Sequence, residues 1–358
     1  SFRISIAYDL AKKNGVDAKT ITESQVIAVA SPLKQQFAQV ASKHCSAMLL
    51  DTTPYGMEAV KFVDKNTGLL LKLEASTSVT GKNDELIFFE PIEEGGSGEY
   101  YARAEKAFDY LTGLGASAIK LLLNYNPINE PAHAREQKKR LEIIYQVSAD
   151  KQVPLLLEPM SFFFIKDENG RRKADKKNPE FAKQKLDVVL QTARDLSALC
   201  DVFKVEFPVD LKYLLPQFAA ENNVLGEDVE KTREVLAGKL DLPKEAGVEQ
   251  IINKACKKLD EESQTPWVML SAGVKDREFE KNILYATSNG CSGMFGGRAI
   301  FQESIPIAAK YGGDSAQVTT FLEQTAVARI GKYKNIIEQN SKPFWERYGS
   351  SKQEFDSL

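Results

Sequence analysis

The chain has 358 residues, of which 43% are hydrophobic and 27% are charged, and its 47 basic residues nearly balance 50 acidic ones to give a net charge of -3. This composition is typical of a soluble globular protein and argues against extensive binding of nucleic acid or membrane. No apolar stretch reaches the ~20 residues that a membrane-spanning helix needs, and no signal peptide is evident, so we expect a cytoplasmic protein.

The few cysteines and histidines exclude several kinds of site. Four cysteines lie far apart without a CxxC motif, which favours reduced thiols over a zinc site or a disulfide framework. The two histidines, His44 and His133, are too few for histidine-based metal catalysis and give no sign of a Ser-His-Asp hydrolase. We therefore expect neither a metal nor a cofactor.

Eight short aliphatic segments alternate with helical patterns along the chain. Their composition is typical of strands buried on both faces, as in a parallel sheet. The pattern predicts an α/β fold, a (β/α)8 TIM barrel formed as a single domain by residues 1–358, with an open doubly wound sheet as the alternative. The eight predicted strands are residues 3–9, 46–51, 68–74, 118–125, 153–159, 201–208, 266–273 and 293–299.

Three regions exceed what a minimal barrel requires. Residues 165–178 and 211–247 are longer than ordinary connections and follow the fifth and sixth strands, so we expect them as insertions on the carboxyl-terminal rim, where barrel active sites lie. Residues 317–358, at the end of the chain, predict an extension of extra helices. These helices would pack on the barrel or on a second copy, which leaves a homo-oligomer open.

Alternation along the strands places polar side chains inside the barrel. In the sixth strand Phe203, Val205 and Phe207 share the outer face, so Val202, Lys204 and Glu206 point inward. Buried charges are costly unless they are paired, and buried ion pairs are weak stabilisers. We therefore interpret the inward-facing groups as a functional site, with a structural salt-bridge network as the alternative. The groups are Asp9, Asp51, Lys120, Glu158, Lys204 and Ser271.

Two lysines and a glutamate in one site suggest covalent chemistry on a carbonyl group. A lysine attacks only as the neutral amine, a small fraction at pH 7 because its reference pKa is ~10.4. Burial and a second cation, here Lys120, would favour the neutral form of Lys204. Glu158 would shuttle protons, and Asp9 would accept the proton of the C4 hydroxyl as the carbon–carbon bond breaks.

The last two strands lead into glycine-containing segments, SAGV at 271–274 and FGGRA at 295–299. Barrels often bind phosphate through backbone N–H groups at these two places, where glycines allow close approach and an arginine adds donors. We expect a phosphate or sulfonate to bind here, with turn-forming glycines as the alternative. The predicted binding residues are Ser271, Gly273, Gly296, Gly297 and Arg298, and Asp51 is expected to contact the same substrate.

Several segments resemble the bacterial tagatose-1,6-bisphosphate aldolase family of class I aldolase barrels, over about residues 4–300. The matching segments are LLDTTPYG, AIKLLLNYN, LLLEP, DVFKVEFPV, LSAGV and GGRAIF. The resemblance implies that Lys204 forms the Schiff base, that Glu158 is the acid/base with Lys120 as its partner, and that Asp9 is an active-site carboxylate. It also implies cleavage of a ketohexose bisphosphate to dihydroxyacetone phosphate and glyceraldehyde 3-phosphate without a metal.

Three alternatives remain at this point, and a fourth is disfavoured. The same lysine would serve an aldolase for sulfofructose 1-phosphate, or a transaldolase. A sensor that binds sugar phosphates without turnover is favoured by one departure, because Asp9 is followed by Leu10, Ala11 and Lys12 where the family usually has Gln-Arg-Gly. A metal-dependent aldolase is disfavoured because neither histidine lies at a strand end.

Overall fold

The computed structural model describes residues 2–74, 97–162, 164–166, 172–174 and 179–356. The chain divides into two compact units. Of the described residues, unit 1 comprises 2–74, 97–120 and 296–335, and unit 2 comprises 121–162, 164–166, 172–174, 179–295 and 336–356.

The strands of the main sheet alternate with helices along the chain, and each pairs with the next strand of that sheet, as a β/α fold requires. The seven-stranded parallel sheet has the order β1-β2-β3-β4-β7-β8-β9, and β5 pairs with β6 in a separate antiparallel hairpin. The strands are β1 (Ala47–Leu50), β2 (Gly68–Lys72), β3 (Ala118–Asn124), β4 (Leu155–Met160), β5 (Phe164–Lys166), β6 (Arg172–Ala174), β7 (Val202–Val205), β8 (Trp267–Leu270) and β9 (Gly293–Phe295).

The α-helices of the described residues fall before the first strand, between the strands and after the last one. They are α1 (Phe2–Asn14), α2 (Glu23–Ala41), α3 (Pro54–Ala59), α4 (Ser97–Gly113), α5 (Pro131–Lys151), α6 (Pro179–Leu196), α7 (Pro216–Glu221), α8 (Gly226–Lys239), α9 (Val248–Glu262), α10 (Asp276–Thr287), α11 (Arg298–Phe301), α12 (Ser304–Tyr311), α13 (Ala316–Phe321), α14 (Val327–Asn340), α15 (Phe344–Arg347) and α16 (Lys352–Asp356).

Both faces of the central strands are covered, which explains their unbroken aliphatic sequences. In β4, Leu155, Leu156 and Leu157 are all buried, and in β7 Phe203 and Val205 are buried together with Lys204 between them. Helix α9 presents one apolar stripe, in which Ile252, Ala255, Cys256 and Leu259 are fully buried. A stripe of this kind is the buried face of an amphipathic helix, and its removal from water stabilises the fold.

The first predicted strand is wrong, because residues 3–9 lie within helix α1. Ile6, Leu10 and Ala11 are buried, whereas Ile4 and Tyr8 are 55% and 64% exposed. The spacing of four residues between Ile6 and Leu10 matches the period of a helix, and it extends the pattern beyond Asp9. The apparent alternation of Ile4 and Ile6 was therefore misleading, since one of the two side chains faces solvent.

The predicted extra elements are confirmed. The hairpin of β5 and β6 begins one residue before the first predicted insertion, residues 165–178, and helices α7 and α8 lie within the second. After the barrel strands the chain forms α13, a π-helical turn at Leu322–Ala326, and then α14. No helix in the described part of the chain is both long enough and apolar enough to cross a membrane.

Candidate active site

Lys204 and Glu158 face each other on neighbouring strands of unit 2. Strand β4 pairs with β7 in parallel, with Leu156 opposite Val202 and Leu157 opposite Phe203. The next step in this register sets Glu158 opposite Lys204, so both side chains emerge on the same side of the sheet. The Lys204 Nζ atom lies 2.8 Å from the Glu158 Oε1 atom, as the predicted acid/base role requires.

The pair is almost removed from water. Lys204 is 6% exposed and Glu158 is 9% exposed, and the Lys204 Nζ atom lies 5.2 Å from the centroid of the Phe295 ring. Removing an ammonium group from water disfavours its charged form, while a nearby carboxylate favours it. The two groups therefore lie within reach of a direct proton transfer, which an amine that must react in its neutral form requires.

Just beyond this pair, Glu206 connects the ends of the same two strands. Its Oε2 atom accepts a hydrogen bond of 2.6 Å from the backbone N–H of Ser161 and a second, short one from the Ser161 hydroxyl. Glu206 and Ser161 are 3% and 4% exposed. The alternation of side chains along the strand predicted that Glu206 faces inward, but it indicated no role for Glu206. No sequence pattern indicated Ser161.

The predicted phosphate segment of unit 2 forms a sharp turn after β8. The backbone passes through the left-handed region at Ala272 (φ 45°) and Gly273 (φ 80°), and the N–H of Val274 donates to the carbonyl of Ser271 at 2.9 Å. A glycine is needed where φ is 80°, since other residues are strained there. Ala272 has no such freedom, and strain of this kind is concentrated at functional turns.

In unit 1, Lys120 lies in a cluster with Lys72 and Glu74. Strands β2 and β3 pair so that Lys72 is opposite Lys120. The Glu74 carboxylate, which is fully buried, lies 2.7 Å from the Lys120 Nζ atom and 3.6 Å from the Lys72 Nζ atom. Glu74 ended a predicted strand, but no pattern in the sequence indicated a role for it. Its carboxylate accounts for the burial of two ammonium groups.

Asp51, at the end of β1 in unit 1, is held by Lys34 and Thr53. The Lys34 ammonium makes a short ion pair with it, and Thr53 donates to it through both its hydroxyl and its backbone N–H. Burial alone would raise the pKa of the Asp51 carboxyl, but Lys34 and Thr53 together outweigh burial and hold that pKa below its usual value.

Gly56 is required by the same turn. A Cβ atom at Gly56 would overlap the backbone carbonyl and the carboxylate of Asp51. Only glycine therefore allows the start of helix α3 to approach Asp51 so closely. The sequence segment DTTPYG thus encodes one compact arrangement around this carboxylate.

The remaining predicted residues of unit 1 lie on helices or just before them. Asp9 is on α1, where it lines a pocket of about 420 Å³ together with Tyr8, Gln302 and Glu303. Because α1 is not a strand, strand parity no longer supports a catalytic role for Asp9, which now rests on the resemblance alone. Gly296 and Gly297 precede α11, and Arg298, its first residue, is exposed.

The structure thus joins Lys204 to Glu158 in one unit and Lys120 to Glu74 in the other. The predicted convergence of all the inward-facing groups on one substrate stays a prediction. The alternation along the strands did not predict Lys34, because Lys34 lies on helix α2 and reaches Asp51 through tertiary packing. Within the residues that the structure describes, no group of three or more histidine, cysteine, aspartate or glutamate side chains could hold a metal ion.

Comparison with solved structures identifies the fold. A fructose-bisphosphate aldolase from Plasmodium falciparum, solved in complex with TRAP and a small-molecule inhibitor, superposes with a TM-score of 0.52 and covers 94% of this chain and 88% of its own. At 12% sequence identity the likeness concerns the fold alone. The chain has an α/β fold of the TIM-barrel type.

Sequence comparison identifies the family. Tagatose 1,6-diphosphate aldolase of Listeria monocytogenes serotype 4a is 26% identical over 326 residues, 88% of this chain and 82% of the relative. The protein of the same name from Streptococcus pneumoniae strain R6 is 28% identical over 331 residues, 91% of this chain and 87% of the relative. The profile of the DeoC/LacD family of aldolases matches residues 7–303. The chain therefore belongs to the DeoC/LacD family of aldolases and is a carbon–carbon lyase.

Proposed function

We propose that this aldolase works through a Schiff base on Lys204, with Glu158 as the acid/base. The observation that carries the proposal is the ion pair of 2.8 Å between these two side chains, both less than a tenth exposed. A buried pair of this kind contributes little to stability, since desolvation offsets most of the attraction. We attribute the presence of this ion pair at the carboxyl end of two neighbouring strands to catalysis.

The reaction follows from the chemistry of an amine beside a carboxyl group. The neutral Lys204 Nζ adds to the C2 carbonyl of a ketose, and Glu158 donates the proton with which the carbinolamine oxygen leaves as water. The protonated imine then accepts the electron pair of the C3–C4 bond as the C4 hydroxyl loses its proton. The aldehyde departs, the enamine is protonated at C3, and water releases the three-carbon ketone from the lysine.

The proposed substrate is a phosphorylated ketohexose, tagatose 1,6-bisphosphate, which would give dihydroxyacetone phosphate and glyceraldehyde 3-phosphate. Support comes from the names of the two bacterial relatives and from the turn between Ser271 and Val274, which is strained at Ala272 and lies in the same unit as Lys204. Roles for Lys120, Asp9, Asp51, Gly296, Gly297 and Arg298 stay predictions. A cytoplasmic location and a homo-oligomer also stay predictions.

Turnover by the Lys204→Met variant tests the proposal. Cleavage of tagatose 1,6-bisphosphate would be followed with a coupled assay for dihydroxyacetone phosphate, beside fructose 1,6-bisphosphate and sulfofructose 1-phosphate. We expect Lys204→Met to abolish cleavage, because methionine fills a similar volume but has no nucleophilic nitrogen. Lys183→Met, at a lysine on α6 that pairs with Glu180, is the control and should retain activity.

Two outcomes would contradict the proposal. Residual turnover by Lys204→Met near the wild-type rate would show that another group carries the chemistry. Binding of these sugar phosphates by the wild-type protein without any cleavage would favour the sensor, for which the helical conformation around Asp9 is the supporting observation.

A further inference from the structure

The segment that follows β4 is held from two sides within unit 2. On one side, the Asn126 side chain, fully buried, donates to the carbonyl of Phe162 at 2.6 Å. On the other side, Glu206 accepts both hydrogen bonds from Ser161. Ser161 lies three residues after Glu158, and Glu206 lies two residues after Lys204. The contacts of Ser161 therefore fix the strand end that carries the acid/base relative to the strand end that carries the nucleophile.

We propose that Glu206 is a positioning residue, whose two hydrogen bonds from Ser161 hold the Glu158 carboxylate against the Lys204 Nζ atom. The inference rests on the proposed function of Lys204 and Glu158, and it adds a residue that does not itself contact the reacting atoms. We call the Glu206–Ser161 contact the clip.

The surroundings of Glu206 keep its carboxylate available for the clip. Lys185 of α6, 4% exposed, pairs with Asp210 and is also attracted by Glu206. This buried ammonium offsets the cost of placing two carboxylates at the end of β7.

Because of the geometry of the clip, variants of Glu206 can separate the effect of the position of its oxygen from the effect of its charge. Both Ser161 donors reach the same oxygen, Glu206 Oε2, and an amide oxygen can likewise accept two hydrogen bonds. Glu206→Gln can therefore keep the clip without the charge. Glu206→Asp keeps the charge but withdraws the oxygen by one methylene, and Glu206→Ala removes both.

Steady-state kinetics of these variants test the proposal. A misplacement of ~1 Å costs on the order of 100-fold in rate, so we expect Glu206→Ala and Glu206→Asp to lower kcat about 10–100-fold with little change in KM. Glu206→Gln should stay within about threefold of the wild type. The double variant Glu206→Ala/Ser161→Ala should be no slower than Glu206→Ala, because both changes break the same contact. Thermal unfolding of each variant checks that the fold is intact.

Hydrogen exchange gives a readout that does not depend on the chemistry of Lys204. Mass spectrometry of peptides covering Ser161 should show faster amide exchange in Glu206→Ala and near-native exchange in Glu206→Gln. If Glu206→Ala does not fold, Ser161→Ala serves in its place, with an expected loss of kcat of about 3–10-fold for one of the two bonds.

The outcomes separate the two proposals. Wild-type kcat in a folded Glu206→Ala variant, or a Glu206→Gln variant as slow as Glu206→Ala, would overturn the positioning role. Unchanged exchange at Ser161 in Glu206→Ala would also overturn it. Absence of a lysine adduct in the wild-type protein would instead overturn the Schiff base, while the exchange and kcat comparisons still decide the clip.

Discussion

At the scale of single residues, the buried pair of Lys204 and Glu158 is explained by its proposed role in catalysis and not by a gain in stability. Substituting a buried ion pair with apolar side chains is often neutral or stabilising, whereas removing one partner leaves the other uncompensated. Lys204→Met leaves Glu158 in that position, and the carboxyl group can respond by taking up a proton. The loss of turnover expected for this variant therefore does not require a loss of the fold.

Asp51 should make stability depend on pH. Its pKa in the folded protein lies below the ordinary value of 3.8, so the ionised carboxylate favours the folded state. This contribution is present above the ordinary pKa and is lost as the pH falls through the lower folded value. We expect Asp51→Asn to lower Tm by roughly 2–4 °C at pH 7, and the difference from wild type to shrink below about pH 4.

Thermal unfolding followed by circular dichroism from pH 7 to pH 3 measures this effect. A difference in Tm between Asp51→Asn and wild type that grows as the pH falls would contradict the account, because it would mean that the folded state favours the protonated carboxyl.

Residues of the candidate site differ in how well the sequence predicted them. Lys204 and Glu158 were predicted because both lie within regular strands, where alternation determines the face. Lys34, Glu74 and Ser161 were not assigned, because their partners come from other elements and no local period encodes such contacts. Asp9 was placed by alternation in a segment where alternation does not apply.

At the scale of elements, the β-strands were the most predictable part of the chain. From Ala47 to Phe295 the aliphatic runs coincide with strands, because a strand buried on both faces needs apolar residues at nearly every position. Residues 3–9 have a weaker pattern, in which Ser5, Ala7 and Asp9 interrupt the apolar residues. Burial of Leu10 and Ala11 decides this segment in favour of a helix.

Because Ile4 and Ile6 lie in helix α1, we expect their substitution to change the free energy of unfolding unequally. In a strand the two changes would be alike. Ile6 is fully buried, and Ile4 is 55% exposed. We expect Ile6→Ala to lower the free energy of unfolding by about 2–5 kcal/mol, and Ile4→Ala by no more than about 0.5 kcal/mol. In a strand the two side chains would share one face. Equal losses in urea unfolding experiments would therefore contradict the helix.

At the scale of the whole molecule, family and chemistry together predict catalysis without a metal. The chain is an aldolase, and the proposed electron sink is an imine on Lys204, which needs no Lewis acid. We expect kcat for the cleavage of tagatose 1,6-bisphosphate to be unchanged after dialysis against EDTA. Loss of activity that returns on adding Zn²⁺ or another divalent cation would contradict the Schiff-base mechanism and favour a metal-dependent one.

The most direct test of the central claim is reductive trapping of the covalent intermediate. The protein would be incubated with dihydroxyacetone phosphate and borohydride, and the intact protein and its peptides would be measured by mass spectrometry. We predict one reduced adduct per chain, located on Lys204 and absent from Lys204→Met. An adduct confined to another lysine, or none under conditions where dihydroxyacetone phosphate is shown to bind, would contradict the assignment of Lys204 as the nucleophile.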